Sequence, residues 1–108
     1  MPNLTMYVDS GAMPSDESLE RLTAQCTELC IGTLRAAPEN VHIVYVPVRH
    51  GRGHPWFAEI LFREESFRPP SVMDRFMRQL DEAIKASTGL TARIRCFSFA
   101  KQHIHARN

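Results

Sequence analysis

The chain opens Met1-Pro2-Asn3, directly ahead of a short alternating apolar stretch. A small second residue generally permits removal of the initiator methionine, which would make Pro2 the mature N-terminus. The chemistry changes with that step. An internal proline carries an amide nitrogen without basicity, whereas an N-terminal proline carries a free secondary amine. The reference α-amino pKa is about 7.7–8.0, and burial or a neighbouring cation lowers it toward neutrality. A base of that strength on a rigid ring suits abstraction of a proton next to a carbonyl. The competing reading is a proline tolerated at the first position of a strand. With Met1 in place, only that reading survives.

Other reactive side chains carry weaker signals. Cys26 and Cys30 are four apart at helical spacing, but both fall on an apolar stripe, where free cysteine packs as a small hydrophobe. His50 with His54, and His103 with His105, have pair spacings seen in metal sites but lack supporting cysteines or carboxylates. No metal and no cofactor is expected. Tyr45, Trp56, Phe97 and Phe99 suit an apolar wall for an unsaturated substrate, and equally a core or a subunit interface. There is no Ser/His/Asp set, phosphate-cradling glycine loop or nucleic-acid module.

Composition narrows the class. The 108 residues suit one domain, and 13 Lys+Arg against 12 Asp+Glu leave a formal charge of +1. That balance argues against a sequence-independent nucleic-acid partner and shows no polybasic membrane patch. No apolar run approaches the roughly 20 residues of a membrane span. The N-terminus lacks the basic and apolar regions of a secretory signal. Three cysteines do not make a disulfide framework. A reduced, cytoplasmic protein is the expectation.

The elements that must position these groups follow from periodicity. Residues 4–8 read as a strand. Ser15 to about Arg35 reads as a helix, with Leu19, Leu22, Cys26, Leu29, Cys30 and Leu34 on one stripe and Ser15 or Asp16 as its cap. Residues 41–46 are rich in β-branched side chains and predict a second strand. The polar stretch 49–54 leads into a third, residues 56–62, which is expected to form a hairpin with the second. Ser71 followed by Asp74 suggests a capping box for a helix bearing Val72, Met73, Phe76, Met77, Leu80, Ala83 and Ile84 on its apolar face. Gly89 suits that helix's end. Residues 93–99 make a fourth strand, and 100–108 a polar arm or tail.

The class is therefore α+β: two β-α-β units forming a four-stranded mixed sheet with two helices on one face. The second and third strands are apolar on two sides, with Val44, Val46 and Val48 opposite Val41, Ile43 and Tyr45, and Phe57 and Leu61 opposite Trp56, Ala58, Ile60 and Phe62. Two helices cover one face only, so the other calls for a partner surface, and a homo-oligomer is expected.

At this point the sequence resembles the tautomerase superfamily, which includes 4-oxalocrotonate tautomerase, 5-carboxymethyl-2-hydroxymuconate isomerase and macrophage migration inhibitory factor. The likeness runs through Met1-Pro2-Asn3-Leu4-Thr5-Met6-Tyr7-Val8, Asn40-Val41-His42-Ile43-Val44, Phe57-Ala58-Glu59-Ile60-Leu61-Phe62 and Arg95-Cys96-Phe97-Ser98-Phe99. Length and element order are most similar to the latter two branches. The resemblance implies a trimeric barrel of sheets wrapped by helices, with Pro2 as general base moving a proton in an enol or unsaturated keto acid. It implies that Arg68, just beyond the third strand, grips a substrate carboxylate and helps keep the Pro2 amine neutral. The family's second arginine, at the start of the first helix or the approach to the second strand, has no counterpart. Arg35, Arg93 and Arg95 lie near those patterns without matching them. Arg95 and Phe97 stand where one branch has a tyrosine and an asparagine, so Arg95 is the candidate for charge stabilisation, with Trp56 and Phe97 as apolar substrate contacts. Two readings result. One is a cofactor-free isomerase acting on a small carboxylate, or a related hydratase or decarboxylase. The other is a non-catalytic trimer binding a small acid or a protein partner.

Overall fold

In the computed structural model, which describes all 108 residues, the chain is organised around its first strand. β1 (Asn3–Asp9) buries every second side chain, Leu4, Met6 and Val8, and leaves the alternates half-buried. α1 (Asp16–Gly32) follows, capped by Ser15, whose hydroxyl accepts the Ser18 N–H at 3.2 Å. It presents Leu22, Cys26 and Cys30 to the sheet. β2 (His42–Val48) returns parallel to β1, with Leu4 opposite Ile43 and Met6 opposite Tyr45. β3 (Trp56–Arg63) then pairs antiparallel on the other side of β1. α2 (Pro70–Thr88) buries Met73, Phe76, Leu80 and Ile84, and ends on Gly89 in the left-handed conformation, whose N–H meets the Lys85 carbonyl at 2.8 Å. β4 (Arg93–Phe99) completes the sheet, parallel to β3.

The strand order β2-β1-β3-β4 confirms the mixed sheet, and both helices lie on one face. The sheet is open, with β2 and β4 as edges. Two expectations are corrected. The second and third strands do not form a hairpin, because β1 lies between them. Their connection crosses the end of β1 instead, where the Asp9 N–H donates to the Pro55 carbonyl at 2.9 Å and Ser10 donates its hydroxyl proton to the Val48 carbonyl at 3.0 Å. The second helix begins at Pro70 with no side-chain cap, so Ser71 and Asp74 form no capping box. Proline at the first helical position presets φ and has no N–H to satisfy.

The core fills the space between the helices and one sheet face, with Trp56, Phe76 and Leu80 fully buried. The opposite face carries Val44 and Val46 of β2, Tyr7 of β1, Phe57 and Leu61 of β3, and Phe97 and Phe99 of β4, and no helix covers it. Phe97 is 46% and Phe99 38% exposed.

Cys26 and Cys30 are core residues, as their stripe predicts. Burial pushes both thiols up to about 12. For Cys26 the neighbouring Cys30 adds to the rise, and for Cys30 the Arg68 charge opposes it. An acid whose folded pKa is raised binds more protons folded than unfolded, so stability is lost as pH climbs past the unfolded thiol value. Stability should therefore fall above about pH 9, by on the order of 1 kcal/mol per pH unit for each thiol. Urea unfolding at pH 8 and pH 10 tests this: a Cys26→Ala/Cys30→Ala variant should lose less stability across that interval than the wild type.

Candidate functional site

Pro2 stands at the rim of the sheet, immediately before β1 enters between its two neighbours. Its ring is fully buried, and its carbonyl accepts the His42 N–H at 3.1 Å, which ties the start of β1 to the start of β2. Met1 lies just beyond, in a groove of about 710 Å³. The groove's walls are the segment after α1, the end of β3 with the turn that follows, and the last five residues, Ile104 to Asn108.

The groove is positively charged. Arg35, Arg63, Arg68 and Arg107 line it against Glu39 and Glu65. The chain's ion pairs, Asp74 with Arg78 and Asp81 with Lys85, both lie on α2, so none of the groove's charges is neutralised by a partner. Desolvation lowers the pKa of the Met1 amine below the ordinary N-terminal value, and the positive charges of Arg63 and Arg68 lower it further.

Arg68 is the anchor. It is 9% exposed; its Nε donates to the Leu34 carbonyl and its Nη1 to the Arg63 carbonyl, both at 2.8 Å. One side chain thereby joins the segment after α1 to the end of β3. Burial lowers its pKa, and a guanidinium remains charged regardless. Its guanidinium carbon is 5.2 Å from the Phe67 ring centroid, and that of Arg35 is 4.6 Å from the same ring.

Arg68 lines the groove with Met1 and Asn3, the residues flanking Pro2, whereas Pro2 itself is fully buried and does not line it. Phe97 reaches the same end of the sheet, on the open face, where it aligns with Leu61 and through it with Asn3, about 10 Å away across two strand spacings. It does not line the groove. Arg95 aligns with Glu59 and Thr5, further along the strands. It is exposed and donates only to the neighbouring Ile94 carbonyl at 2.8 Å, so the buried ion pair that its apolar strand suggests is not formed. Trp56 lies apart from the groove. It is opposite Val8, at the far end of β1, with 0% exposure and its ring edge against Tyr45. Its Nε1 has no hydrogen-bond partner. Tyr45 also faces the core, hydrogen-bonded to the Thr23 hydroxyl at 2.8 Å.

Two contributors, Arg63 and the returning tail, were not singled out by sequence reasoning. Arg63 follows the alternation of β3 onto the open face, a signal that was present. The tail's return to the groove had one faint signal, Ile104, an apolar residue in a polar stretch. His42 lines the groove, where its side chain makes no hydrogen bond and its backbone N–H donates to the Pro2 carbonyl. No group of His, Cys, Asp and Glu has the arrangement of a metal site.

A β-α-β-β-α-β sheet with both helices on one face and a proline at the head of its central strand is the architecture of the tautomerase superfamily, and the chain has that fold. A fused 4-OT solved as a symmetric trimer superimposes with a TM-score of 0.81 at 18% identity, over 98% of this chain and 94% of that one. A macrophage migration inhibitory factor of Toxoplasma gondii gives 0.77 at 11% identity, over 97% and 96%. A malonate semialdehyde decarboxylase gives 0.74 at 10% identity, over 99% and 92%. No family model and no curated protein matches the sequence. At these identities the likeness is one of fold. No helix is long and apolar enough to cross a membrane.

Because Arg68 satisfies two carbonyls from inside the fold, its loss leaves both unpaired. Arg68→Met should destabilise the chain by about 2–4 kcal/mol, whereas Arg63→Ala, which removes no such bond, should stay within about 1 kcal/mol. Denaturant midpoints of the two variants give the comparison.

Proposed function

We propose that the chain is a cofactor-independent tautomerase or isomerase in which Pro2, freed by removal of Met1, is the general base. The observation that carries this reading is the electrostatics of the groove: the Met1 nitrogen is partly desolvated there, with Arg63 and Arg68 acting on it, and its pKa is lowered. Removing Met1 places the Pro2 amine one residue deeper in the same field. A secondary amine held neutral near pH 7 takes a proton from a carbon next to a carbonyl and returns it to another carbon of the conjugated system. Arg63 and Arg68 bind the carboxylate of an enol or unsaturated keto acid and stabilise the dienolate as charge develops. Arg68 still has three N–H groups beyond the two it commits to carbonyls.

The open sheet face supports assembly of several copies, and the fused 4-OT with the same fold is a trimer. A trimer is the assembly we propose. Arg95 and Phe97 lie outside the groove of their own chain, and take part where a neighbouring copy's β4 meets it. The malonate semialdehyde decarboxylase, described as having decarboxylase and hydratase activities, makes decarboxylation or hydration of an unsaturated acid the nearest alternative chemistry. One observation favours a non-catalytic binder instead: with Met1 in place Pro2 is an amide with a fully buried ring.

Intact mass decides whether Met1 is removed. If the reading holds, turnover of 2-hydroxymuconate or phenylenolpyruvate should fall by at least about 100-fold in Pro2→Ala, within the range general bases contribute. Equal rates in wild type and variant would remove Pro2 from the mechanism. The pH profile gives an independent check. Arg63→Gln removes a positive charge from beside the amine, so the ammonium form is favoured and its pKa rises. The acidic limb of kcat/KM should move to higher pH. Light scattering should return the mass of three chains.

A further inference from the structure

We infer that Glu65 is a specificity-determining residue of the groove: its carboxylate stands beside Arg68 as a like charge to any acid that binds there, and so weakens carboxylate ligands while leaving uncharged ones unaffected. The inference rests on the carboxylate-binding groove proposed above, and supplies the element that opposes binding in it.

Glu65 and Arg68 are the two ends of one tight turn. Ser66 and Phe67 are its central residues, and the Arg68 N–H donates to the Glu65 carbonyl at 3.0 Å. That closure brings the two α carbons to within about 7 Å of each other. Pro69 and Pro70 follow directly and fix φ in the chain that leaves the turn. Both ends of the turn line the groove. The backbone therefore sets a carboxylate next to the buried guanidinium.

The two side chains do not close into an ion pair, since the chain's ion pairs both lie on α2. The acid is felt nonetheless. Burial lowers the Arg68 pKa, and Glu65 is the neighbouring charge that opposes this shift most. Water screens the interaction weakly, because Arg68 is 9% exposed and the Phe67 ring centroid lies 5.2 Å from its guanidinium carbon. Glu39, the groove's other acid, belongs to the short helical turn Pro38–Asn40 and is not among the charges acting on Arg68.

A ligand carboxylate that takes the N–H groups Arg68 leaves free comes within the field of Glu65 and is repelled by it. The charge on that carboxylate is the same in the bound substrate and in the transition state. The repulsion therefore acts on both equally, raising KM without changing kcat. An uncharged ligand of the same shape meets no such penalty.

Calorimetric titration with sorbate and with sorbamide isolates the effect. The two ligands share one conjugated skeleton and differ in charge, and neither needs turnover. Glu65→Gln keeps the length of the side chain and the backbone bond of the turn. It should bind sorbate about tenfold more tightly than wild type, and sorbamide within about twofold of wild type. Glu39→Gln should tighten sorbate by no more than about threefold, because that acid does not act on Arg68. With phenylenolpyruvate, Glu65→Gln should lower KM by about tenfold and leave kcat within about twofold. Unchanged sorbate affinity in Glu65→Gln, an equal gain for sorbamide, an equal gain in Glu39→Gln, or no binding of sorbate to either protein would overturn the inference. If Pro2→Ala leaves turnover unchanged while Glu65→Gln still tightens sorbate alone, the catalytic reading fails and this one stands. If Pro2→Ala abolishes turnover while Glu65→Gln leaves sorbate affinity unmoved, the reverse holds.

Discussion

The site depends on a guanidinium taken out of water. Burying a charge is costly unless its donors are engaged, and Arg68 meets that condition with two backbone carbonyls from separate parts of the chain. Leu34 closes the turn after α1, and Arg63 ends β3. Fastening both to one rigid fork sets the width of the groove between them. The same buried charge faces the first nitrogen of the chain, so one residue is at once a cross-link and a source of potential. Its structural and electrostatic roles cannot be varied separately, and Arg63 and Arg35 are the positions where groove charge can change without unfastening the walls.

Local periodicity made the elements legible. The helix stripes Leu22-Cys26-Cys30 and Met73-Phe76-Leu80-Ile84 are buried as their spacing requires, and the alternation in β1 and β3 assigns each side chain to its face. Strand order was less legible. The glycine-bearing stretch between β2 and β3 has the composition of a hairpin turn, while the pairing that displaces it, β1 against both, joins residues far apart in sequence. The end of the first helix was less legible: it reads to about Arg35 but stops at Gly32, and the left-handed Arg35 with the backbone bonds to Leu29 and Cys30 turns the chain there. Pro2 stood out through the chemistry of an N-terminal secondary amine, and Arg68 was reached through a resemblance. Trp56 was drawn in by its chemistry alone, and nothing local said that it lies at the far end of β1.

The sheet's two faces have different work. One is sealed by α1 and α2 over a continuous core, and the other presents Val44, Val46, Tyr7, Phe57, Leu61 and Phe97 to whatever lies outside the chain. A domain of 108 residues has little apolar side-chain area to spare, and here a substantial part of it is left off the core. Together with two unpaired edges, this is a surface whose burial contributes to folding only when another surface meets it.

The first and last residues line one groove. Proximity of termini ordinarily makes a chain easy to circularise or to extend by gene fusion. Here the same proximity limits both. A peptide bond joining the ends would turn the nitrogen of Pro2 permanently into an amide, and any leader left on the front of the chain would do likewise. An affinity handle at the back would emerge from the groove's wall. On the mechanism proposed above, the molecule's chemistry would depend on how its synthesis begins, and recombinant versions would inherit that dependence through every vector-encoded residue placed ahead of Pro2.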